Sequence, residues 1–282
     1  GEIVAYCGNS DMSFERAVKW VDIARANRSS GSILKPLLYT VALQEGIILP
    51  ETLLPDVPTD FRGFTPKNFD GTYAGAIAAD EALALSLNIP NVHLLKAYGV
   101  ARFAETLQRA GFVSLNRSTD KYGLSLVLGG AEVCLCDVVS CYARMAACYI
   151  DTTAYAEFPL RDRVALYHTF NAMREVNRPD QMDWRRATSV HNVAWKTGTS
   201  YGSRDAWAIG VTPQYVVGVW VGNADGSGVA ELTGARIAGP ILFDMLNLLS
   251  YSEWFAEPCS TDGVTLKVCV HSGHLAGRYC TD

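Results

Sequence analysis

The change of hydrophobic pattern between the middle and the final third of the chain is the feature that most limits the folds open to it. Residues 74–175 carry apolar residues at helical spacing, with glycine or proline near the segment ends. After residue 192 the pattern changes to short apolar segments separated by turn residues, at 193–199, 206–211 and 215–221. Such segments are typical of adjacent antiparallel strands. The third is apolar on both faces, which predicts a strand covered on both sides.

Four further segments flank these two regions. A short apolar strand is predicted at 2–7 and a buried helix at 32–46. A last amphipathic helix is predicted at 235–249. The segment 50–71 contains several prolines and little periodicity, so it is interpreted as a long functional loop or lid.

Together these segments predict an α/β (α+β) fold. An antiparallel sheet would carry helices on both faces, and an all-helical subdomain at 74–175 would be inserted between the early and late strands. One domain is expected at 1–250, and 251–282 is interpreted as a C-terminal extension leading to a further domain.

Composition argues against two kinds of partner. The formal net charge is −5, and no basic patch with interleaved aromatic residues suggests nucleic acid. No apolar run reaches the roughly 18 residues of a membrane span. Because the sequence begins at Gly1 rather than at a methionine, it is expected to be a fragment. It therefore says little about whether the parent protein has a membrane anchor.

Five of the eight cysteines lie in apolar segments. Cys134, Cys136, Cys141 and Cys148 share one helix-like stretch, and Cys7 lies in the first strand-like run. All five are interpreted as small buried hydrophobic residues.

The other three cysteines lie in a less periodic C-terminal segment. Cys259, Cys269 and Cys280 accompany His271 and His274 there. A disulfide, a zinc site and free thiols remain open, with a Cys269–Cys280 disulfide favoured because the spacing matches no compact zinc pattern.

A serine and a lysine three positions apart open the predicted buried helix. Residues at this spacing share a helix face, so Lys35 can reach the hydroxyl of Ser32. Pro36 suits a first helical turn, where a missing N–H costs least. The residues that follow are apolar on nearly every side, so Lys35 is expected in a dry place that favours its neutral form. These features predict a nucleophile and a base.

Two further motifs follow in order. Ser86 and Asn88 end an apolar helical pattern, and Lys196 opens a Lys-Thr-Gly triplet on the first late strand. The chain also contains duplicates of the shorter motifs, at 118–121 and 114–116. Both duplicates lie in or lead into a polar loop. Order and context therefore favour the first copies.

These motifs, in this order, resemble the transpeptidase domain of class A penicillin-binding proteins, and most of all the penicillin-binding protein 1C group. The resemblance covers nearly all of residues 1–250, and the tail from Cys269 to Cys280 resembles the segment before that group's C-terminal domain. Departures are Ser30, where proline is usual, and the cysteine-rich helix. The similar segments are 21–24, 31–36, 54–58, 66–70, 122–132, 194–200 and 204–207.

The resemblance implies a serine β-lactamase/penicillin-binding transpeptidase-like fold and a serine acyl-enzyme mechanism. Ser32 would attack the carbonyl between two terminal D-alanines of a peptidoglycan stem peptide, with Lys35 as base. Ser86 would relay the proton to the leaving amine, and Asn88 would hold Lys35 and the substrate amide. No metal or cofactor is implied.

The resemblance also implies the substrate-binding groups. Lys196, Thr197, Gly198 and Thr199 would bind the terminal carboxylate. The N–H groups of Ser32 and Thr199 would form the oxyanion hole. The expected partners are stem peptides, as donor and as amine acceptor, and β-lactams, with other cell-wall synthesis proteins as further candidates.

Two alternatives remain open at this point. A carboxypeptidase or β-lactamase would pass the acyl group to water, but the nearest acidic candidate, Glu132, has a structural context. A non-catalytic β-lactam sensor is the second alternative. A Ser-His-Asp triad is disfavoured, because His93, His168 and His191 are scattered without a nucleophile-elbow motif. An extracytoplasmic, periplasmic site is expected, with the parent protein anchored in the inner membrane and carrying, in one expectation, a glycosyltransferase domain.

Overall fold

The computed structural model describes residues 1–9, 20–118, 121–176 and 192–280, so His191 lies outside the described residues. The described helices are α1 (Lys35–Gln44), α2 (Ala79–Ala84), α3 (Asn88–Tyr98), α4 (Val100–Ala110), α5 (Leu135–Ile150), α6 (Arg163–Arg174) and α7 (Gly239–Asn247), with a 3-10 helix at Leu124–Leu128 and a π-helix at Gly234–Ala238. The described strands are β1 (Arg28–Ser29), β2 (Leu53–Asp56), β3 (Gly75–Ala78), β4 (Glu132–Val133), β5 (Ala194–Thr199), β6 (Asp205–Val211) and β7 (Val216–Gly222). None of these helices has both the length and the apolar character needed to cross a bilayer.

The main sheet has the order β5-β6-β7 and is antiparallel throughout. Alternation along β5 divides its side chains between two faces. Trp195 packs in a small hydrophobic cluster with Leu242 of α7, whereas Ala194 belongs to the large core formed with α1, α5 and α6. Lys196 shares the face of Ala194, so the strand directs this lysine towards α1. The predicted antiparallel sheet with helices on both faces is confirmed.

Helix α1 lies in the large core and begins at Lys35, three residues later than predicted. The Lys35 N–H donates to the Ser32 carbonyl at 3.2 Å, which is a turn bond rather than a helical one. Pro36 has no N–H to donate to Ser32, so the helical bonding pattern starts only where Leu38 donates to Leu34 at 3.3 Å. Ser32 therefore lies in the turn that leads into the helix.

Two predicted elements near the N-terminus differ from the structure. Residues 2–7 form no strand, because none of the described strands pairs with them, and Cys7 is exposed rather than buried. The helical pattern predicted from residue 74 becomes a helix only at Ala79, since Gly75–Ala78 pairs as β3 with β2. The strand β2 itself lies within the segment predicted to be a loop. Alanine is compatible with either state, and the pairing decides between them.

Strand β7 is also less covered than predicted. Six of its seven residues are only partly buried. It is one of the two edge strands of the sheet, and α5 and α7 cover its faces only in part.

The cysteines of the helical region are largely buried. Cys134, Cys141 and Cys148 are buried and Cys136 is partly buried. Burial raises the pKa of the Cys134 thiol to about 11 and that of Cys141 further. The Cys134 and Cys141 thiols are therefore inert packing residues.

The C-terminal segment forms a small hairpin against the start of β2, where the Leu53 N–H donates to the Ser272 carbonyl at 3.0 Å. The favoured disulfide is absent, because Cys269 and Cys280 are both free thiols. Their side chains are hydrogen-bonded to each other, but a disulfide also requires an oxidant to take two electrons. Within the described ranges, no group of His, Cys, Asp and Glu side chains could hold a metal ion.

The Cys269 thiol is expected to react at neutral pH. Hydrogen bonds, chiefly from the Ser272 side chain, lower its pKa to about 7. We expect pulsed alkylation by iodoacetamide, followed by peptide mapping, to show a half-maximal rate near pH 7 at Cys269. Ser272→Ala should move this midpoint upwards, because it removes the main stabilisation of the thiolate. An unchanged midpoint in that variant would contradict the assignment.

Candidate active site

Two buried lysine side chains, Lys35 of α1 and Lys196 of β5, meet around Ser86. Lys35 is 0% exposed and Lys196 is 1% exposed. Lys35 Nζ donates to the Ser86 carbonyl oxygen and to Asn88 Oδ1, both at 2.7 Å. Lys196 Nζ donates to the Ser86 hydroxyl at 2.7 Å and to the Thr197 carbonyl at 2.9 Å. One serine residue thus contacts both amines.

Burial changes the protonation of both lysines. Desolvation lowers the pKa of Lys35 well below its ordinary value, and the nearby charge of Lys196 lowers it further. Desolvation also lowers the pKa of Lys196 to about 7. Burial therefore favours the neutral form of Lys35 and leaves Lys196 close to half-protonated near pH 7.

The backbone of Ser86 is what lets this residue contact both lysines. Its φ is 56°, in the left-handed region that L-residues rarely adopt. The Ser86 N–H donates to Leu83 at 3.0 Å and the Leu87 N–H donates to Ala82 at 3.0 Å, which is the Schellman ending of helix α2. The left-handed conformation costs a residue other than glycine about 1 kcal/mol of backbone strain. Such strain is typical of functional sites.

The Ser32 turn packs against the outer edge of β5. A Cβ at Gly198 would lie 2.9 Å from the Ser30 carbonyl oxygen and 3.4 Å from the Ser32 nitrogen. Only glycine permits an approach this close. Ser32 itself is partly exposed, at the surface of the otherwise buried group.

Alternation along β5 also orients the Thr199 N–H. The Ser200 N–H donates to the Asp205 carbonyl at 3.0 Å, so residue 200 belongs to a hydrogen-bonded pair of the β5–β6 ladder. In antiparallel strands such pairs alternate, so the Thr199 N–H points away from β6. A Cβ on Gly31 would lie 2.7 Å from the Thr199 nitrogen, which places that N–H beside the Ser32 turn.

Gly31→Ala is expected to destabilise the protein by about 2 kcal/mol or more. Gly31 has φ 51°, and its new Cβ would meet main-chain atoms of Thr199 that cannot turn aside. Gly46→Ala is the matched control, since Gly46 has φ 68° with no atom within 4 Å of the added Cβ and so carries backbone strain alone. Urea unfolding of both variants measures the difference, and equal losses would contradict the close approach to β5.

The structure brings together most of the residues that the motifs predicted. Lys35, Ser86, Asn88 and Lys196 are joined by hydrogen bonds. The turn of Ser32 lies against β5 at Gly198 and Thr199, and the Thr199 hydroxyl accepts the Gly234 N–H at 3.0 Å. Thr197 joins the group through its carbonyl, while its side chain is on the face opposite Lys196. The duplicate motifs are elsewhere: Ser118 is exposed, and the Ser114 hydroxyl donates to the Glu132 carbonyl at 2.7 Å.

Motif reasoning assigned no role to the segment that holds Asn88. Asn88 Nδ2 donates to the Lys67 carbonyl at 2.7 Å, and Asn68 Oδ1 accepts the Asn88 N–H at 2.9 Å. The family-like run at 66–70 was the one available signal. The role of this run depends on the contact between Asn68 and Asn88, which are twenty residues apart in the sequence. Motif spacing does not predict such a contact.

The fold is that of a penicillin-binding transpeptidase. The family model described as the penicillin binding protein transpeptidase domain matches residues 1–247, and the chain belongs to this family. Penicillin-binding protein 1C of Escherichia coli (strain K12) is 38% identical over 276 residues, which are 95% of this chain and 36% of that protein. Penicillin-binding protein 1A of Neisseria cinerea is 28% identical over 280 residues, 87% of this chain and 34% of that protein. The chain thus spans about a third of the length of these relatives.

Solved structures confirm the fold. The PonA1 protein of Mycobacterium tuberculosis, in complex with penicillin V, has a TM-score of 0.70 at 23% identity, over 86% of this chain and 75% of that chain. Penicillin-binding protein 1A of Haemophilus influenzae has a TM-score of 0.70 at 20% identity, over 92% of this chain and 48% of that chain. The resemblance stated from the motifs is confirmed at the level of family and fold.

Proposed function

We propose that this chain is a D,D-transpeptidase domain that cross-links peptidoglycan stem peptides through an acyl-enzyme on Ser32, and that β-lactams acylate the same serine. The observation that carries the proposal is the pair of buried lysines bonded to Ser86, beside a serine turn that lies against β5. Serine acylation needs a base that is neutral at working pH.

Lys35 is the proposed base. A neutral amine has two N–H donors and one lone pair. The Ser86 carbonyl and Asn88 Oδ1 accept both donors at 2.7 Å. The lone pair is left to accept the proton of Ser32 as its oxygen attacks the carbonyl carbon.

Ser86 is proposed to give its own hydroxyl proton to the leaving amine and to take the proton held by Lys35 in its place. Its hydroxyl accepts a hydrogen bond from Lys196 Nζ, which leaves its own O–H to donate. Lys196 is also the proposed partner of the substrate carboxylate, with Thr197, Gly198 and Thr199 around it. A bound carboxylate raises the pKa of Lys196 from about 7 and keeps it charged.

The oxyanion is proposed to lie between two main-chain N–H groups, those of Ser32 and Thr199. The packing of Gly198 and Gly31 against the opposite backbone supports this, because it brings the Ser32 turn and the Thr199 nitrogen close together. Preorganised donors of this kind contribute roughly 10²–10³ in rate.

An amine, rather than water, is the proposed acceptor of the acyl group. Hydrolysis needs a positioned base, and Glu132 lies on β4, exposed and paired with Ser29. We expect a peptide ending in D-Ala-D-Ala, incubated with an amine acceptor, to give a cross-linked product by mass spectrometry. Only the shortened peptide would support the carboxypeptidase alternative, and a stable penicillin adduct without peptide turnover would support the sensor. Rapid release of penicilloic acid would support a β-lactamase.

We also propose an extracytoplasmic, periplasmic location, because the substrate of this reaction is cell-wall peptide. Anchoring in the inner membrane, a glycosyltransferase activity and contacts with other cell-wall synthesis proteins are proposals for the longer protein. Class A membership supports them, and they are tested by fractionation and assay of the full-length protein.

A further inference from the structure

We propose that Asp56 and Asn68 are positioning residues for acylation, which cap helix α3 from outside and turn the amide of Asn88 so that its oxygen faces Lys35. The inference rests on the proposed function, since it concerns the same serine acylation. Neither residue contacts the reacting atoms, and both act through Asn88.

Helix α3 has no cap of its own. Its N-cap residue, Leu87, offers no side-chain acceptor to the first N–H groups. Asn68, twenty positions earlier, supplies one: its Oδ1 accepts the N–H of Asn88 at 2.9 Å and that of Ile89 at 3.3 Å. The first turn of α3, which carries Asn88 into the site, is therefore fixed by a remote side chain.

Asp56 sets the orientation of the Asn68 amide. A carboxylate only accepts hydrogen bonds, so it requires the NH₂ end of the amide to face it. Asn68 Nδ2 donates to Asp56 Oδ1 at 2.7 Å and to the Thr72 carbonyl at 2.9 Å. The other carboxylate oxygen, Asp56 Oδ2, accepts the Ala74 N–H at 2.8 Å. The oxygen of Asn68 is thereby left to face α3.

Burial makes this arrangement costly to lose. Asp56 is 1% exposed and Asn68 is 3% exposed, so water cannot replace a missing partner without rearrangement. The next residue back, Lys67, gives its carbonyl to Asn88 Nδ2 at 2.7 Å. With its NH₂ end held there, Asn88 presents Oδ1 to Lys35 Nζ at 2.7 Å. The Asp56 carboxylate thus orients the Asn68 amide, which fixes the first turn of α3 and with it the Asn88 amide that contacts Lys35.

Exchanging the two groups tests the proposal. Asn68→Asp places two carboxylates face to face. Asp56→Asn has only one acceptor oxygen, so either the Asn68 NH₂ or the Ala74 N–H would face an NH₂ group. Each single variant is expected to lower the second-order rate constant of acylation by a fluorescent penicillin about tenfold or more. The double variant Asp56→Asn with Asn68→Asp keeps the bond between the two side chains with its donor and acceptor reversed, although the Thr72 carbonyl loses its donor. It also keeps an acceptor at the start of α3, so part of the rate should return.

The pH profile separates positioning from loss of folded protein. Asn88 Oδ1 stabilises the ammonium form of Lys35, so a displaced amide lowers the pKa of Lys35 further. In Asp56→Asn the rising limb of the acylation–pH profile should move to lower pH, whereas partial unfolding would only scale the profile down. In Asn68→Asp the added carboxylate opposes this shift, because a negative charge raises the pKa of a nearby amine. Asn116→Asp, an exposed change of the same kind, is the control and should match the parent.

The outcomes distinguish the two proposals. If the parent protein is not acylated, the proposed function fails. If the parent is acylated and the single variants keep its rate and its pH profile, the positioning role alone is wrong. A double variant no faster than the slower single variant also overturns it. Should Asn68→Asp fail to fold, the milder Asp56→Asn carries the pH-profile prediction by itself.

Discussion

Lys35→Met is expected to slow acylation by penicillin about 10³-fold while leaving the protein folded, because it removes the amine that is proposed to take the proton of Ser32 and that Ser86 and Asn88 hold in place. Methionine is close in length and apolar, so it suits a position that is 0% exposed. Stopped-flow measurement with a fluorescent penicillin gives the rate constant, and circular dichroism reports the fold.

The duplicate motif supplies the matched control for this change. Lys121 follows Ser118 at the spacing of the first motif but is exposed in the polar loop. Lys121→Met should acylate at the parental rate. A parental rate in Lys35→Met, or a comparable loss in Lys121→Met, would show that Lys35 is not the base.

Lys196→Met is expected to abolish productive acylation yet stabilise the fold at low pH. The pKa of Lys196 is about 7 in the folded protein and 10.5 unperturbed, so between these values the unfolded chain binds more protons. Stability contributed by this site therefore rises with pH across that window. Burying the charged form of Lys196 lowers the free energy of unfolding by its full amount below about pH 7 and not at all above about pH 10.5. The pKa difference sets an upper bound of about 5 kcal/mol on this cost.

Urea unfolding of parent and Lys196→Met at several pH values measures this penalty. The variant should exceed the parent by several kcal/mol near pH 6, and the gap should narrow as pH rises. Sites built for activity commonly carry such a cost in stability. A gap that is constant with pH, or that widens, would mean that Lys196 keeps an ordinary pKa.

Periodicity predicted the helical middle of the chain and the three-stranded sheet, because each of those elements buries its own apolar face. It did not predict β2 and β3, since Leu53–Asp56 and Gly75–Ala78 are defined by pairing with each other and their sequences have no strand-like alternation. The start of α1 was placed three residues early for a local reason, the missing N–H of Pro36. A hydrophobic pattern does not show which distant segments pair, and it does not show which hydrogen bonds form in a single turn.

The candidate site was predictable to the extent that its motifs are local. Lys35 and Ser86 were selected over duplicates by order and by apolar context, and Lys196 lies in a triplet without a duplicate. The structure joins the three by hydrogen bonds. Asp56 and Asn68 were not selected, because their contribution is the orientation of an amide. That property exists only once β2 and the start of α3 are side by side.

The central claim is that Ser32 is acylated. Mass spectrometry of the protein after incubation with benzylpenicillin tests it most directly, by the mass of the intact protein and by mapping the modified peptide. The account predicts one stable adduct, located on Ser32, that is absent from Ser32→Ala and retained in Ser118→Ala. An adduct that persists in Ser32→Ala, or that maps to Ser118, would contradict it.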